Sequence, residues 1–143
     1  MISAVILKVA SLCNLNCTYC YMYNHEDKSY LRRPKLISDE TFDATLAVMK
    51  RYCEQNGTRM AINFHGGEPT LIGAERFGVL AGRAREILGQ SLSAMAMQTN
   101  ATLLDDAWID ILRHHQVNVG VSLDGPREIN DVARVDHAGR GSY

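Results

Sequence analysis

Ala4-Val5-Ile6-Leu7-Lys8-Val9-Ala10 is a near-continuous apolar run broken by a single charge. It predicts a strand buried on both faces, the pattern of a parallel sheet. Outward from it the same theme repeats. Ser38 stands as a helix N-cap with Asp39 and Glu40 behind it, and Phe42, Leu46, Met49 and Cys53 form one apolar helical face that Asn56-Gly57 ends. Residues 59–64 read as a second strand ending in His65-Gly66-Gly67-Glu68-Pro69, and Ala74–Leu88 as a second helix closed by Gly89. Strands over 93–98 and 117–123 bracket a helix over 105–115, and a short helix over 128–133 follows Asp124-Gly125-Pro126. Four β units alternating with helices predict an α/β fold with a parallel sheet or barrel.

Composition narrows the classes. The chain has 143 residues, 46% hydrophobic and 22% charged, which is the balance of a globular protein. Fifteen basic against sixteen acidic residues leave a formal net charge of -1, so no electrostatic footprint for nucleic acid or an anionic membrane is present. No apolar run approaches the roughly 20 residues of a membrane helix. A single Lys near the start and no cleavage-type stretch predict no signal peptide, hence a cytoplasmic protein. The polar stretch 24–35 reads as a long connection without a core of its own. A fourth parallel strand should be buried, yet the chain continues only briefly beyond it, and 138–143 reads as a loop entering something absent. The expectation is the N-terminal part of a longer protein.

The cysteines carry the chemistry. Cys13, Cys17 and Cys20, three of the four, fall within eight residues just after the first strand. In a reducing compartment clustered thiols read as metal-binding or catalytic rather than as disulfides. Spaced Cys13-x-x-x-Cys17-x-x-Cys20, they can wrap one side of an iron–sulfur cluster, and a four-iron cluster held by three cysteines keeps one iron open to a small molecule. The alternative is structural zinc, with Cys53 or His25 as fourth ligand. Cys53, however, lies on an apolar helix face and His25 in a polar loop.

With Tyr19 before its last cysteine, the motif resembles that of the radical S-adenosylmethionine (SAM) enzymes. Gly66-Gly67-Glu68-Pro69, Thr99-Asn100 and Ser122-Leu123-Asp124-Gly125-Pro126 follow successive predicted strands and extend the resemblance over the chain. It implies about four units of a partial (β/α)6 TIM-like barrel, with the chemistry at the C-terminal ends of the strands. It also implies a 4Fe-4S cluster whose open iron is chelated by SAM, and an electron that splits SAM into methionine and a 5′-deoxyadenosyl radical. A peptide or protein substrate and a low-potential electron donor would be the partners, with no nucleic acid and no membrane.

By the same resemblance Cys13, Cys17 and Cys20 are the cluster ligands and Tyr19 packs by the adenine. Gly66, Gly67 and Glu68 form the segment that meets the SAM amino group, since a backbone without Cβ approaches a ligand closely. Read without the resemblance, Gly-Gly is simply a tight turn. His65 lies near SAM or caps backbone groups; Asn100 bonds the cofactor or shapes a turn. Ser122 and Asp124 match a polar strand-end segment, although Asp-Gly-Pro is also good turn chemistry. Arg134, in Asn130-Asp131-x-x-Arg134, would pair a carboxylate or stand as an exposed helical Arg, and relatives carry His where Asn130 stands. Met95 and Met97 alternate as core residues.

Leu7-Lys8-Val9-Ala10-Ser11-Leu12, Tyr19-Cys20-Tyr21 and Phe64-His65-Gly66-Gly67-Glu68-Pro69 together resemble the peptide- and protein-modifying branch. That branch holds anaerobic sulfatase maturases and cyclophane-forming maturases, which usually add a C-terminal SPASM-type domain; residues 1–143 are expected to hold no part of it. The competing readings are a fragment that binds cluster and SAM without turnover, and a zinc-stabilised binding module.

Overall fold

The computed structural model describes residues 1–143. Four strands, β1 (Ala4–Ala10), β2 (Met60–Gly66), β3 (Leu92–Thr99) and β4 (Val117–Val121), pair in parallel in the order β1-β2-β3-β4. Between and after them run α1 (Asp39–Asn56), α2 (Ala74–Leu88), α3 (Asp106–His114) and α4 (Arg127–Ala133). No helix is long and apolar enough to cross a membrane.

Local chemistry accounts for the helix ends. The Thr41 amide donates to Ser38 Oγ at 3.1 Å, and Gly57 takes a left-handed φ of 57° behind α1. At α3 the Trp108 amide donates to Asp105 Oδ1 at 2.9 Å, so Asp105 caps the helix rather than beginning it. Ser38→Ala is expected to lower stability by about 1 kcal/mol, measured as a lower urea midpoint with unchanged slope.

The core lies on one face of the sheet, under the helices. Leu7 pairs with Phe64, Phe64 with Met97 and Met97 with Val119, so one apolar row crosses all four strands. Phe64 stacks edge-on against Phe77 at 4.9 Å, and Phe77 lies 5.3 Å from Trp108. Met95, Met97 and Cys53 are buried in this core, and the Cys53 thiol faces the Ser91 carbonyl. Cys53 therefore stands apart from the other three cysteines as a packing residue.

Two expectations about the outer strands change. β1 is buried on one face only: Leu7 and Val9 are inside while Ile6 and Lys8 are exposed, because the opposite face of the sheet carries no helix layer. β4 is mostly open as well, with Val117 buried but Val119 and Val121 exposed. It ends the sheet, and the apolar row loses its cover there. The 24–35 connection contains a single 3-10 turn, Ser29–Arg32, with no buried residue.

The register also prepares the site. Lys8 pairs with His65 but Ala10 with Gly66, so Val9 is an extra residue that bends β1 just before the cysteine loop.

Candidate active site

The cysteine loop leaves β1 and is held at both of its ends. On one side the Gly67 amide donates to the Ala10 carbonyl at 2.9 Å and the Glu68 amide to the Leu12 carbonyl at 2.8 Å. On the other the Asn16 amide donates to the Val135 carbonyl at 2.7 Å and the Thr18 amide to the Ala133 carbonyl at 2.9 Å. Within the loop, Cys20 N to Cys17 O and Asn24 N to Cys20 O make two turns. Residues 133–136 thus dock on the cysteine loop, with Leu15 bridging to Asp136, and 138–143, read from sequence as a loop entering something absent, turn back onto them, the Ser142 amide donating to the Arg134 carbonyl at 3.1 Å.

Gly66 and Gly67 are required by that seating. A Cβ on Gly66 would lie 2.2 Å from the Ala10 oxygen; one on Gly67 would lie 1.8 Å from the Tyr23 hydroxyl and 2.3 Å from the Leu12 oxygen. The close approach here is to the cysteine loop's own backbone.

Cys13, Cys17 and Cys20 line one cavity of about 170 Å³ together with Tyr19, His65, Gly66, Gly67, Glu68, Asn100, Ser122 and Arg134. Every residue that the sequence assigns to the cluster or to SAM is there except Asp124, which bonds the Tyr19 hydroxyl from behind; the zinc alternatives Cys53 and His25 are not. Gln98, Thr99, Leu15, Tyr21, Met22 and Tyr23 also line it. The alternation of β3 could have found Gln98, because it shares a strand face with Ala96 and points away from Met97. A larger groove of about 590 Å³ runs along β1 and residues 27–41, contains none of the three cysteines, and meets the cavity only at Tyr21 and Met22.

All three thiols are free and half-buried. Burial pushes the Cys13 thiol up to about 11, against the Leu15 amide that favours the thiolate. The Cys17 thiol is also raised, by burial first, with Arg134 opposing. Such thiols keep their protons at neutral pH until a metal displaces them. No three His, Cys, Asp or Glu side chains converge on a single ion. A 4Fe-4S cluster binds its thiolates on separate irons, so three soft sulfurs spread around one loop suit it better than they suit structural zinc.

Polar side chains fix the walls. Glu68 is 1% exposed; its Oε1 accepts from the Thr70 amide at 3.1 Å, the Thr70 hydroxyl at 2.7 Å and the Thr99 hydroxyl at 2.6 Å. Its Oε2 accepts from the Asn100 amide at 2.8 Å. Gln98 Nε2 donates to Ser122 Oγ at 2.8 Å, in space that Gly120 leaves open: a Cβ there would stand 2.4 Å from Gln98 Oε1. His65 Nδ1 lies 3.2 Å from the Gly66 carbonyl.

Tyr19, Asp124 and Arg134 form a unit. The Tyr19 hydroxyl donates to Asp124 Oδ2 at 2.6 Å and accepts from Arg134 Nη1 at 2.9 Å, and Arg134 stands 3.7 Å from Asp124 Oδ1. Burial, then the bond to Asp124, raises the Tyr19 pKa. Burial works against the Arg134 charge, but Tyr19, Cys17 and Asp124 outweigh it and hold its pKa above the ordinary value. Arg134 is 8% exposed, which removes the reading of a solvated helical Arg. Asn130, fully buried, accepts from the Asp124 amide at 3.3 Å and so shapes that turn.

With this geometry in place, the comparisons are specific. The family model described as Radical SAM superfamily matches residues 7–143. The chain is 33% identical over 99% of its length to a cysteine-type anaerobic sulfatase-maturating enzyme of Clostridium perfringens, covering 38% of that protein. It is 32% identical over 97% of its length to a serine-type one of Bacteroides thetaiotaomicron, covering 33% of it. Solved structures of native anSMEcpe with bound AdoMet, and with AdoMet and Cp18Cys peptide, superpose with TM-scores of 0.77 at 33% identity; 99% of this chain is covered in each, and 38% and 37% of those chains. The chain therefore spans about a third of the length of these relatives, 33% to 38%. A three-cysteine loop seated on a Gly-Gly turn at the ends of parallel strands, matched along nearly its whole length, shows that this chain belongs to the radical SAM superfamily.

Proposed function

We propose that Cys13, Cys17 and Cys20 hold a 4Fe-4S cluster and that the cavity they line binds SAM for radical modification of a peptide or protein side chain. The observation that carries this is the convergence, in one cavity, of the three thiols with residues from the C-terminal ends of β2, β3 and β4. When bound, the pair supplies one-electron cleavage of SAM to methionine and a radical that takes hydrogen from substrate. The chain's own contribution is binding and orientation. Arg134, buried and charged, suits the SAM carboxylate, with Ser122 lining the same cavity and Gln98 holding Ser122. Tyr19 keeps Arg134 in place through its hydroxyl while its ring is free to meet the adenine. Gly66, Gly67 and Glu68 present the backbone of the turn to the amino end of SAM. His65 and Asn100 complete the walls, and Asp124 acts through Tyr19.

The sulfatase-maturating relatives and the peptide-bound structure support a protein or peptide substrate carrying a Cys or Ser target. A low-potential donor would deliver the electron. The residues 1–143 are then the N-terminal portion of a radical SAM core, and a reducing cytoplasm suits the three thiols.

The test is anaerobic incubation of the cluster-loaded protein with dithionite and SAM, with 5′-deoxyadenosine read by chromatography. Formation of that nucleoside supports turnover; SAM binding without it favours a binding fragment. Tyr19→Phe is expected to weaken SAM binding about tenfold, one charge-assisted hydrogen bond's worth. Titration of SAM into reduced protein measures it, and undiminished affinity would mean that the Tyr19 hydroxyl plays no part in holding Arg134 for SAM.

A further inference from the structure

We propose that Asn100 is a positioning residue that sets the reduction potential of the cluster through a hydrogen bond to the Cys13 sulfur. The inference rests on the cluster reading above. Asn100 Nδ2 lies 2.9 Å from Asn14 Oδ1 and 3.8 Å from Cys13 Sγ, so its two hydrogens serve the two neighbours.

The amide's orientation is determined by its partners. Asn100 Oδ1 accepts from the Thr102 amide at 3.0 Å and the Thr102 hydroxyl at 2.7 Å. The Thr102 hydroxyl in turn accepts from Asn14 Nδ2 at 2.8 Å, which closes a ring of three side chains. Turning the Asn100 amide over would set donor against donor at Thr102 and oxygen against oxygen at Asn14. The backbone is pinned as well, because the Asn100 amide donates to the buried Glu68 carboxylate.

Cys13 is also singled out among the three sulfurs. The Leu15 amide donates to it at 3.4 Å, and Asn100 adds a second donor. Donors to a ligating thiolate stabilise the more negative, reduced cluster and raise its potential. The ring thus eases electron entry from one side of the cluster, with no contact to SAM required.

The test is redox titration of the reconstituted protein, followed by electron paramagnetic resonance, for wild type, Thr102→Val, Asn100→Ala and Asn100→Asp. The midpoint should fall in that order. Thr102→Val keeps the donor but frees its anchor, Asn100→Ala removes the donor, and Asn100→Asp replaces it with negative charge. For Asn100→Ala the expected shift is a tenfold loss in the reduced-to-oxidised ratio at fixed poise, about 59 mV for one electron. Equal midpoints in cluster-bearing variants overturn the inference and leave the cluster assignment standing. If the Asn100 variants hold no cluster, the exposed Thr102 decides, and an unshifted Thr102→Val overturns it. Wild-type protein that takes up no iron contradicts the underlying reading instead.

Discussion

Cys17→Ala is expected to leave the fold intact and abolish iron uptake. Cys17 is half-buried in the loop and contributes nothing to the apolar core, so the change in stability should stay within about 0.5 kcal/mol, as for substitutions away from packed or strained sites. What it removes is one of only three thiolates in the cavity, and two cannot hold a four-iron cluster in place of three. The expected readout is an unchanged far-ultraviolet circular dichroism spectrum with loss of the visible charge-transfer absorption and of bound iron. Cys53→Ala supplies the opposite pattern. It keeps full iron content and loses about 1 kcal/mol through a small core cavity, because its thiol packs under α1. Iron retained by Cys17→Ala at the wild-type level would remove Cys17 from the ligand set.

Glu68→Ala should have the largest effect on stability, about 4 kcal/mol. One carboxylate takes four hydrogen bonds from Thr70, Thr99 and Asn100, and all of it is buried. Truncation strands those donors away from water, at about 1 kcal/mol or more apiece. Glu68→Gln is milder, about 2 kcal/mol, since one oxygen survives while its amide meets the Asn100 N–H donor to donor. Urea unfolding of both variants measures the two costs, and the ordering Ala below Gln below wild type is the prediction. Because this carboxylate joins the end of β2 to the end of β3, the variants should also loosen the wall of the cysteine cavity. Near-native stability in Glu68→Ala would mean that the brace contributes nothing.

Periodicity reached the framework. Strands and helices fall where apolar spacing and caps place them, Ala74–Leu88 to the residue, because local chemistry at Ser38, Gly57 and Gly89 ends each element. The site's membership was legible for a different reason: in a parallel α/β sheet every strand end points to the same rim, so motifs after strands meet there. Pairings between side chains were not legible. Nothing local to Glu68 reveals that its carboxylate reaches Thr99 and Asn100, 31 and 32 residues on. Arg134 and Tyr19, 115 residues apart, meet only because the cysteine loop docks on the segment after α4. The outer strands were misread for a related cause. An apolar run signals capacity for burial, but which faces are covered depends on the layers around them, and β1 and β4 each flank the sheet.

The central claim is that the three-cysteine loop holds a cluster with an iron open to SAM. The direct measurement is anaerobic reconstitution with iron and sulfide, followed by electron paramagnetic resonance of the reduced protein with and without SAM. The account predicts a four-iron signal whose g values shift when SAM is added. A cluster signal indifferent to SAM would contradict the open site, and zinc bound without iron would contradict the cluster itself.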